Sequence, residues 1–232
     1  MPYAPLPEQG PSGPDEAATP LLFLVAALLA GLAGYVNAVM LSYAGMPVSH
    51  MSGPATELGI DLGRFNPQNF LLLAGIMVGF MLGAMFSGLM VASTVLRPGR
   101  RYGVALLIEG LLLSVAAVFA VSAHPHLALV AAAMACGLQN ALAASYRGLT
   151  LRTTHVTGIV TDIGVLLAHR LRHKRIKTWK LMLLVVILAG FIVGGIAGVV
   201  MFLNWGAHAL SFAAGFCLLI AIGYLPREEN AG

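Results

Sequence analysis

The sequence predicts an all-α integral membrane protein with six transmembrane helices, built as two inverted three-helix repeats that each carry a re-entrant half-helix. Three observations predict this fold class. The 232 residues are 59% hydrophobic and only 9% charged, whereas soluble domains carry about 25% charged residues. The apolar residues form long runs rather than alternating with polar ones. A polar motif at residues 37–53 returns in similar form at residues 140–158.

Six apolar runs are long enough to cross a bilayer, since a hydrocarbon core of about 30 Å takes about 20 helical residues. Helices are expected because the backbone must satisfy its own hydrogen bonds in lipid, and the alternation typical of outer-membrane strands is absent. The predicted spans are residues 21–44, 68–92, 103–123, 126–147, 180–203 and 207–225.

Two stretches between these spans have two interpretations. Residues 46–65 and 149–170 are moderately apolar but contain His, acidic and Arg side chains. As full spans they would give eight helices, and as re-entrant stretches they would give six. With six spans, the basic clusters at 97–101 and 170–180 lie on one side of the membrane. The positive-inside rule therefore favours six spans with both termini in the cytoplasm.

The chain divides into four parts. Residues 1–20 contain no Lys or Arg, so they do not form a signal peptide and are expected to be a disordered tail. Residues 21–123 form the first repeat and residues 124–225 form the second, inverted repeat. Residues 226–232 form a short cytoplasmic tail.

The two halves share polar residues at nearly equal spacing. An offset of 103 residues aligns Asn37 with Asn140. Each half contains three spans, so the second half must insert upside down, a plan that is common among secondary transporters. An offset of 105 residues aligns His50 with His155, Ser52 with Thr157, Gly53 with Gly158 and Glu57 with Asp162.

A short helix is predicted in each half. The run Ser52-Gly53-Pro54 is typical of a helix start, because Pro suits the first turn and Ser or Gly suits the cap. A helix from Pro54 to Gly63 would be about 15 Å long, which is half a bilayer. The stretch after His155 predicts a second short helix that enters from the opposite face. The positive ends of both helix dipoles could then meet an anionic group near the membrane centre.

The duplicated polar residues are the candidate substrate site. The two Asn residues could line a cavity, or they could bond across a contact between helices. The His and acidic residues could carry protons, or they could only complement the ends of short helices. The predicted site residues are Asn37, His50, Ser52, Gly53, Glu57, Asn140, Thr154, His155, Thr157, Gly158 and Asp162.

Glu109 is the only carboxylate well inside a long span, and Ala214 occupies the matching position in the second half. Ionisable groups inside a membrane are energetically expensive and are candidates for a function. Glu109 could act as a coupling group that carries a proton, or it could pair with Arg101 or Arg147.

Patterns typical of enzymes are absent. The chain has no Gly-x-Ser-x-Gly, His-Glu-x-x-His or Walker motif, and Cys136 and Cys217 lack metal-binding spacing and are expected to be buried. We therefore expect neither catalysis nor a cofactor, a metal or a nucleic-acid partner. Two glycine ladders predict packing seams that could also face a second copy in a homodimer. Aligned at an offset of 115, these ladders are Gly75, Gly79 and Gly83, and Gly190, Gly194 and Gly198.

Two segments resemble the YoaK-like family of bacterial membrane proteins, a domain of unknown function numbered 1275. They are GYVNAVMLSYAGMPVSHMSGPATELG (34–59) and GLQNALAASYRGLTLRTTHVTGIVTDIG (137–164). The family pattern has Asp where this chain has Asn37, and Asn where it has Pro54. The resemblance covers about residues 20–225 and implies a multi-span protein of the bacterial inner membrane, but it names no substrate.

These features predict a secondary transporter or channel-like permease for a small solute, with small anions among the candidates. It would work by alternating access at a midplane site between the repeats. The alternatives are a membrane sensor or assembly protein that transports nothing, and an intramembrane enzyme. The expected partners are the solute, the lipid bilayer and a second copy of the chain.

Overall fold

The computed structural model describes residues 20–65, 69–90, 100–144, 153–173, 176 and 178–224. These residues form α-helices and one short 3-10 helix, which confirms the all-α prediction. The elements are α1 (Pro20–Ala44), α2 (Ser52–Gly63), α3 (Phe70–Met90), α4 (Arg100–Val121), α5 (Pro125–Ala144), α6 (Val156–Leu171), α7 (Thr178–Trp205), the 3-10 helix (Gly206–His208) and α8 (Ala209–Tyr224).

Long apolar helices dominate the described part of the chain and indicate an integral membrane protein. Five segments are long and apolar enough to cross a membrane: four correspond to α1, α3, α4 and α5, and the fifth runs from α7 through α8. The two other helices are short. With 12 and 16 residues, α2 and α6 are about 18 and 24 Å long, which is less than a hydrocarbon core of about 30 Å.

Local sequence explains where several helices end. Helix α1 stops before Gly45, whose φ of 72° lies in the left-handed region that glycine adopts without strain. Helix α4 ends in a tight turn in which Ala123 has a φ of 60° and the N–H of His124 donates to the carbonyl of Phe119 at 2.8 Å. Pro125 then opens α5, because Pro needs no hydrogen-bond acceptor in the first helical turn.

The long helices pack as pairs around a central layer. Helices α1 and α5 are the most buried. Helix α7 packs along the length of α1, and α3 packs along α5 in the same way. Helices α4 and α8 pack against each other. The short helix α2 lies on α3, and the short helix α6 lies on α7.

Glycine allows the backbones to touch in the α1–α7 and α3–α5 seams. A Cβ added at Gly83 would overlap the backbone of Met134, and a Cβ added at Gly194 would overlap the backbone of Gly31. Small residues permit this close approach, which is a main source of helix association in lipid. The predicted packing role of the glycine ladders is confirmed. These two glycines face helices of their own chain rather than a second copy.

The two seams have the same register. A Cβ at Gly79 would lie 2.9 Å from the carbonyl oxygen of Val130, and a Cβ at Gly190 would lie 2.7 Å from that of Ala27. The two glycines on the outer helices are 111 residues apart, and their two contacts on the central helices are 103 residues apart. The offset of 115, which aligned Gly79 with Gly194, was therefore wrong by one helical turn. Both ladders have glycine at every fourth position, so a four-residue slip still aligns glycine with glycine.

We expect Gly83→Ala and Gly194→Ala to destabilise the protein, each by about 1–3 kcal/mol, because the new methyl group must push two backbones apart. Gly88→Ala is the matched control, since an added Cβ there meets nothing within 4 Å. Melting temperatures in detergent measure the difference. Equal melting of Gly83→Ala and Gly88→Ala would contradict the close approach described here.

Candidate functional site

Asn37 holds the segment that leads from α1 into α2. Its Oδ1 accepts hydrogen bonds from the backbone N–H groups of Val48 and Ser49, each at 3.1 Å. Asn37 is only 8% exposed, and Val48 and Ser49 are fully buried. The Asn37 oxygen therefore satisfies two backbone donors that the bilayer would leave without a partner.

Asn140 of α5 makes the corresponding contact in the second half. Its Oδ1 accepts a hydrogen bond from the hydroxyl of Thr154 at 3.1 Å. Thr154 is 3% exposed and stands two residues before α6. Arg147 and Arg152, which belong to the connection between α5 and α6, lie outside the described residues.

The Asn37 contact also shows how deep α2 begins. Asn37 lies seven residues before the end of α1 at Ala44, or about 10 Å along the helix axis. Because the Asn37 side chain binds Val48 and Ser49, the chain turns back to this depth before α2 starts at Ser52. Within this connection, Val48 and Ser49 are buried, whereas Gly45 is exposed.

The first turns of the two short helices are built alike. The Ser52 carbonyl accepts from the Thr56 hydroxyl at 2.8 Å, and the Thr157 carbonyl accepts from the Thr161 hydroxyl at 2.9 Å. Neither helix has a side chain that caps its N-terminal N–H groups. Both first turns therefore keep backbone donors available to an acceptor from outside the helix.

Gly53 and Gly158, which match at the offset of 105, make room for neighbouring rings. A Cβ at Gly158 would lie 2.6 Å from Cε1 of His155, so the imidazole rests directly on the first turn of α6. A Cβ at Gly53 would lie 3.1 Å from Cγ of Pro47. Substituting Gly158 would displace the His155 ring.

The remaining predicted residues differ in exposure. Ser52, His155, Thr157 and Asp162 are exposed, and His50 and Glu57 are half-buried. His50 Nδ1 lies 3.5 Å from the Ser49 hydroxyl. Among the described residues, no three His, Cys, Asp or Glu side chains are placed to hold one metal ion.

The structure gathers the residues of each half but keeps the two sets apart. Within the described residues, α2 and α6 do not contact each other. Gln139 Nε2 donates to the carbonyl of Leu29 at 2.8 Å, which places neighbouring Asn140 near the level of Leu29 on α1. Asn37 lies eight residues further along α1, or about 12 Å. The two sets therefore occupy opposite halves of the bundle.

Glu109 is buried inside the helix bundle. It is 1% exposed, and the Cys217 thiol of α8 lies beside it. Cys136 of α5 lies near enough for a charge on Glu109 to act on it. Oε2 of Glu109 has no hydrogen-bond partner among the described residues. An unpaired buried charge is costly in a membrane, which makes Glu109 a candidate for a function.

Two clefts flank the α4–α8 pair. A narrow one of about 60 Å³ lies between α1, α4 and α8 and reaches Cys217; its outer part holds Tyr102 and Tyr224, whose ring centroids are 5.2 Å apart. A wider one of about 480 Å³ lies at the opposite end of the pair. The polar side chains that line the wider cleft are Ser114, Ser122, Ser211 and His208.

Sequence reasoning missed three functional candidates. Gln139 is buried and connects α5 to α1 through its hydrogen bond to the Leu29 carbonyl. Cys217 is buried as expected, and it also contacts Glu109. Asp61 has a buried Oδ2 without a hydrogen-bond partner among the described residues. Its acidic side chain inside a predicted re-entrant helix was the available signal.

We expect Asn37→Ala to lower the melting temperature strongly, because two buried N–H groups lose their acceptor. Each loss reduces the free energy of unfolding by about 1–3 kcal/mol. Asn37→Asp keeps an acceptor in place and should melt closer to the wild type. Asn204→Ala is the control, since Asn204 is exposed and bonds only within α7. If Asn37→Ala melted like Asn204→Ala, the structural role of this side chain would be disproved.

The long helices fall within the region that one known protein family matches. No curated protein and no solved structure matches the chain. The family described as "Protein of unknown function (DUF1275)" matches residues 25–223. The match covers all the helices from the first half of α1 to the end of α8. The chain therefore belongs to the DUF1275 family.

Proposed function

We propose that this protein is a secondary transporter or channel-like permease for a small solute. The proposal includes six membrane spans, arranged as two inverted three-helix repeats in a bacterial inner membrane with both termini in the cytoplasm. The solute would cross by alternating access, as one repeat rocks against the other. The family assignment names no substrate, and the proposal therefore depends on the packing of the chain.

The observation that carries the proposal is the exchange of partners between the halves. Helix α1 of the first half packs on α7 of the second, and α5 of the second half packs on α3 of the first. The contact of Gly83 with Met134 corresponds to that of Gly194 with Gly31. Such reciprocal packing is the expected result when two inverted repeats interlock around a central axis.

The charge distribution supports the proposed orientation. In a six-span arrangement, the N-terminal ends of α4 and α7 lie on the same side as the C-terminal end of α6. Arg100, Arg101, Arg170, Arg172 and Lys180 all fall at these ends. By the positive-inside rule this side is the cytoplasmic one.

The first turns of α2 and α6 and the Glu109 carboxyl group would be the polar groups that the solute or a proton meets. Uncapped first turns of α2 and α6 offer backbone donors in opposite halves of the bundle, beside the exposed Ser52 and Thr157. Donors at helix N-termini favour acceptors and anions. Glu109, buried inside the bundle, would be the coupling group. Asn37 and Asn140 would act by holding the short helices in place.

The alternatives remain distinguishable. A sensor or assembly protein would need the same stable packing but no solute site. An intramembrane enzyme would need a catalytic group, and we propose that the chain is not an enzyme and uses no cofactor. A homodimer remains part of the proposal, with apolar outer faces of α3 and α7 available to lipid or to a second copy.

A ligand-stabilisation screen tests the proposal. The purified protein is melted in detergent with small anions, amino acids, nucleobases and sugars, because a ligand that binds only the folded state must raise the melting temperature. Any compound that stabilises the protein is then tested for uptake into liposomes that contain it. A compound that stabilises without uptake would favour the sensor, and the absence of any stabilising compound would remove the support for a transporter.

We expect Thr157→Val to reduce the stabilisation by the solute while leaving the melting temperature of the free protein unchanged. Its matched control is Thr154→Val, which removes the buried hydrogen bond to Asn140. Losing this bond costs about 1 kcal/mol of the free energy of unfolding, so this variant should have a lower melting temperature without any solute. If both variants behaved alike in both measurements, the first turn of α6 would have no special part in binding.

A further inference from the structure

The narrow cleft opens sideways from the helix bundle, between α1 and α8. It exists because α8 touches α1 only slightly, whereas α4 packs extensively on both α5 and α8. Two of its lining residues, Leu28 of α1 and Phe216 of α8, are 42% and 39% exposed. Cys217 is fully buried and forms its floor. In a membrane, the open side of the cleft therefore faces lipid.

The lining of the narrow cleft suits a hydrocarbon chain. The described residues that line it include no charged side chain, and an apolar cavity of this kind does not hold water. A volume of about 10–15 Å³ accommodates one water-sized group, so the 60 Å³ of the cleft has room for about four or five groups near the size of a methylene. The apolar lining residues are Val25, Leu28, Leu29, Leu32, Leu106, Phe216 and Ile220.

The size of the cleft excludes bulkier occupants. A helix with its side chains is about 10–12 Å wide, so a cavity of about 60 Å³ does not admit a helix from a second copy of the chain. Residues 1–19 and 225–232, which lie outside the described part of the chain, contain no run of apolar residues that would fill it. A single unbranched chain of methylene groups is the occupant that matches both the width and the lining.

Basic residues lie at the mouth of the cleft. Tyr102 and Tyr224 form its outer part, and Tyr is enriched where a membrane meets water. Arg100 and Arg101 immediately precede Tyr102 at the start of α4, and both are exposed. A guanidinium group binds phosphate through two parallel N–H donors. The mouth therefore combines an interfacial aromatic pair with donors that suit a phosphate group.

The three helices that form the cleft bring no carboxylate to its mouth. Helices α1 and α8 contain no acidic residue. Glu109 is the only acidic residue of α4, and it lies beside Cys217 at the inner end of the cleft. The positive charge of Arg100 and Arg101 therefore acts at the mouth without an opposing charge from these helices, which favours an anionic ligand over a zwitterionic one.

We infer that the narrow cleft binds one acyl chain of an anionic phospholipid, whose phosphate group lies against Arg100 and Arg101. The acyl chain fixes the position of the lipid, and the phosphate supplies the preference, because hydrocarbon gains little when it moves from the bilayer into an apolar cleft. Each basic residue near a membrane surface favours an anionic lipid by about fivefold in affinity. The inference goes beyond the proposed function and holds whether or not the chain transports a solute.

Native mass spectrometry of the protein in detergent measures the affinity for the first bound lipid. We expect phosphatidylglycerol to bind about 25-fold more tightly than phosphatidylcholine with the same acyl chains, since two basic residues contribute. The double variant Arg100→Gln/Arg101→Gln should lose this preference. The matched control is Arg170→Gln/Arg172→Gln, which removes the same charge from the exposed end of α6, a helix that packs on α7.

Three results would overturn the inference. The first is the absence of a preference for phosphatidylglycerol in the unmodified protein. The second is an equal loss of preference in both double variants, which would show a general effect of charge. The third is full competition by glycerol phosphate, which carries the phosphate without acyl chains and would identify a site for free phosphate.

A second measurement decides the question even if the Arg100→Gln/Arg101→Gln protein does not fold. Leu28→Trp and Leu24→Trp are each made in a protein in which Trp179 and Trp205 are replaced by Phe. Both leucines are exposed on α1, but only Leu28 lines the cleft. Each protein is placed in phosphatidylcholine vesicles that contain the same small fraction of a lipid with brominated acyl chains, which quench tryptophan fluorescence.

We expect brominated phosphatidylglycerol to quench the Leu28→Trp protein with an apparent affinity at least about fivefold higher than that of brominated phosphatidylcholine. The Leu24→Trp protein should be quenched equally by both lipids. Equal quenching of the Leu28→Trp protein by the two lipids would overturn the inference.

Discussion

The close approach of helix backbones at glycine is the constraint on which the rest of the structure depends. Lipid tails are as apolar as the side chains, so burying side chains between helices gains little free energy. Helices in a membrane therefore associate where their backbones can pack closely. Gly194 against Gly31, and Gly83 against Met134, fix α7 on α1 and α3 on α5. Once these two pairs exist, α4 and α8 cover the central layer, and the short helices α2 and α6 attach to the outer members of the pairs.

Polar groups inside this bundle fall into two classes. Most of them satisfy backbone groups: Asn37 binds two N–H groups, Gln139 binds the Leu29 carbonyl, and Tyr35 donates to the carbonyl of Ala209 at 2.8 Å. Such bonds hold irregular segments at a depth where water does not replace them. The second class includes Glu109 and Asp61, each of which keeps a buried oxygen without a partner in the described part of the chain. Groups of the second class cost stability, and ionisable groups buried in a membrane are candidates for a function.

Much of the architecture was readable from the sequence because hydropathy, helix signals and internal repetition agree. The long helices begin and end within a few residues of the predicted runs, and the short helix predicted from Pro54 to Gly63 lies within α2. The register of the glycine ladders was not readable, because a four-residue repeat matches itself after one turn. The separation of the two polar sets was not readable either, since it depends on how α1 and α5 cross. Cys217 beside Glu109 joins residues more than a hundred positions apart, and no local pattern records such a contact.

The reciprocal pairing of the halves has a consequence for biosynthesis. Gly31 and Gly194 are 163 residues apart, so at about 5–20 residues per second α1 waits about 8–30 s for its main partner to be made. Helices α3 and α5 are close in sequence and can associate much earlier. The first helix to enter the membrane is therefore among the last to acquire its final neighbour, and during that interval its glycine face is open to any other small-residue surface in the bilayer, including that of another nascent chain.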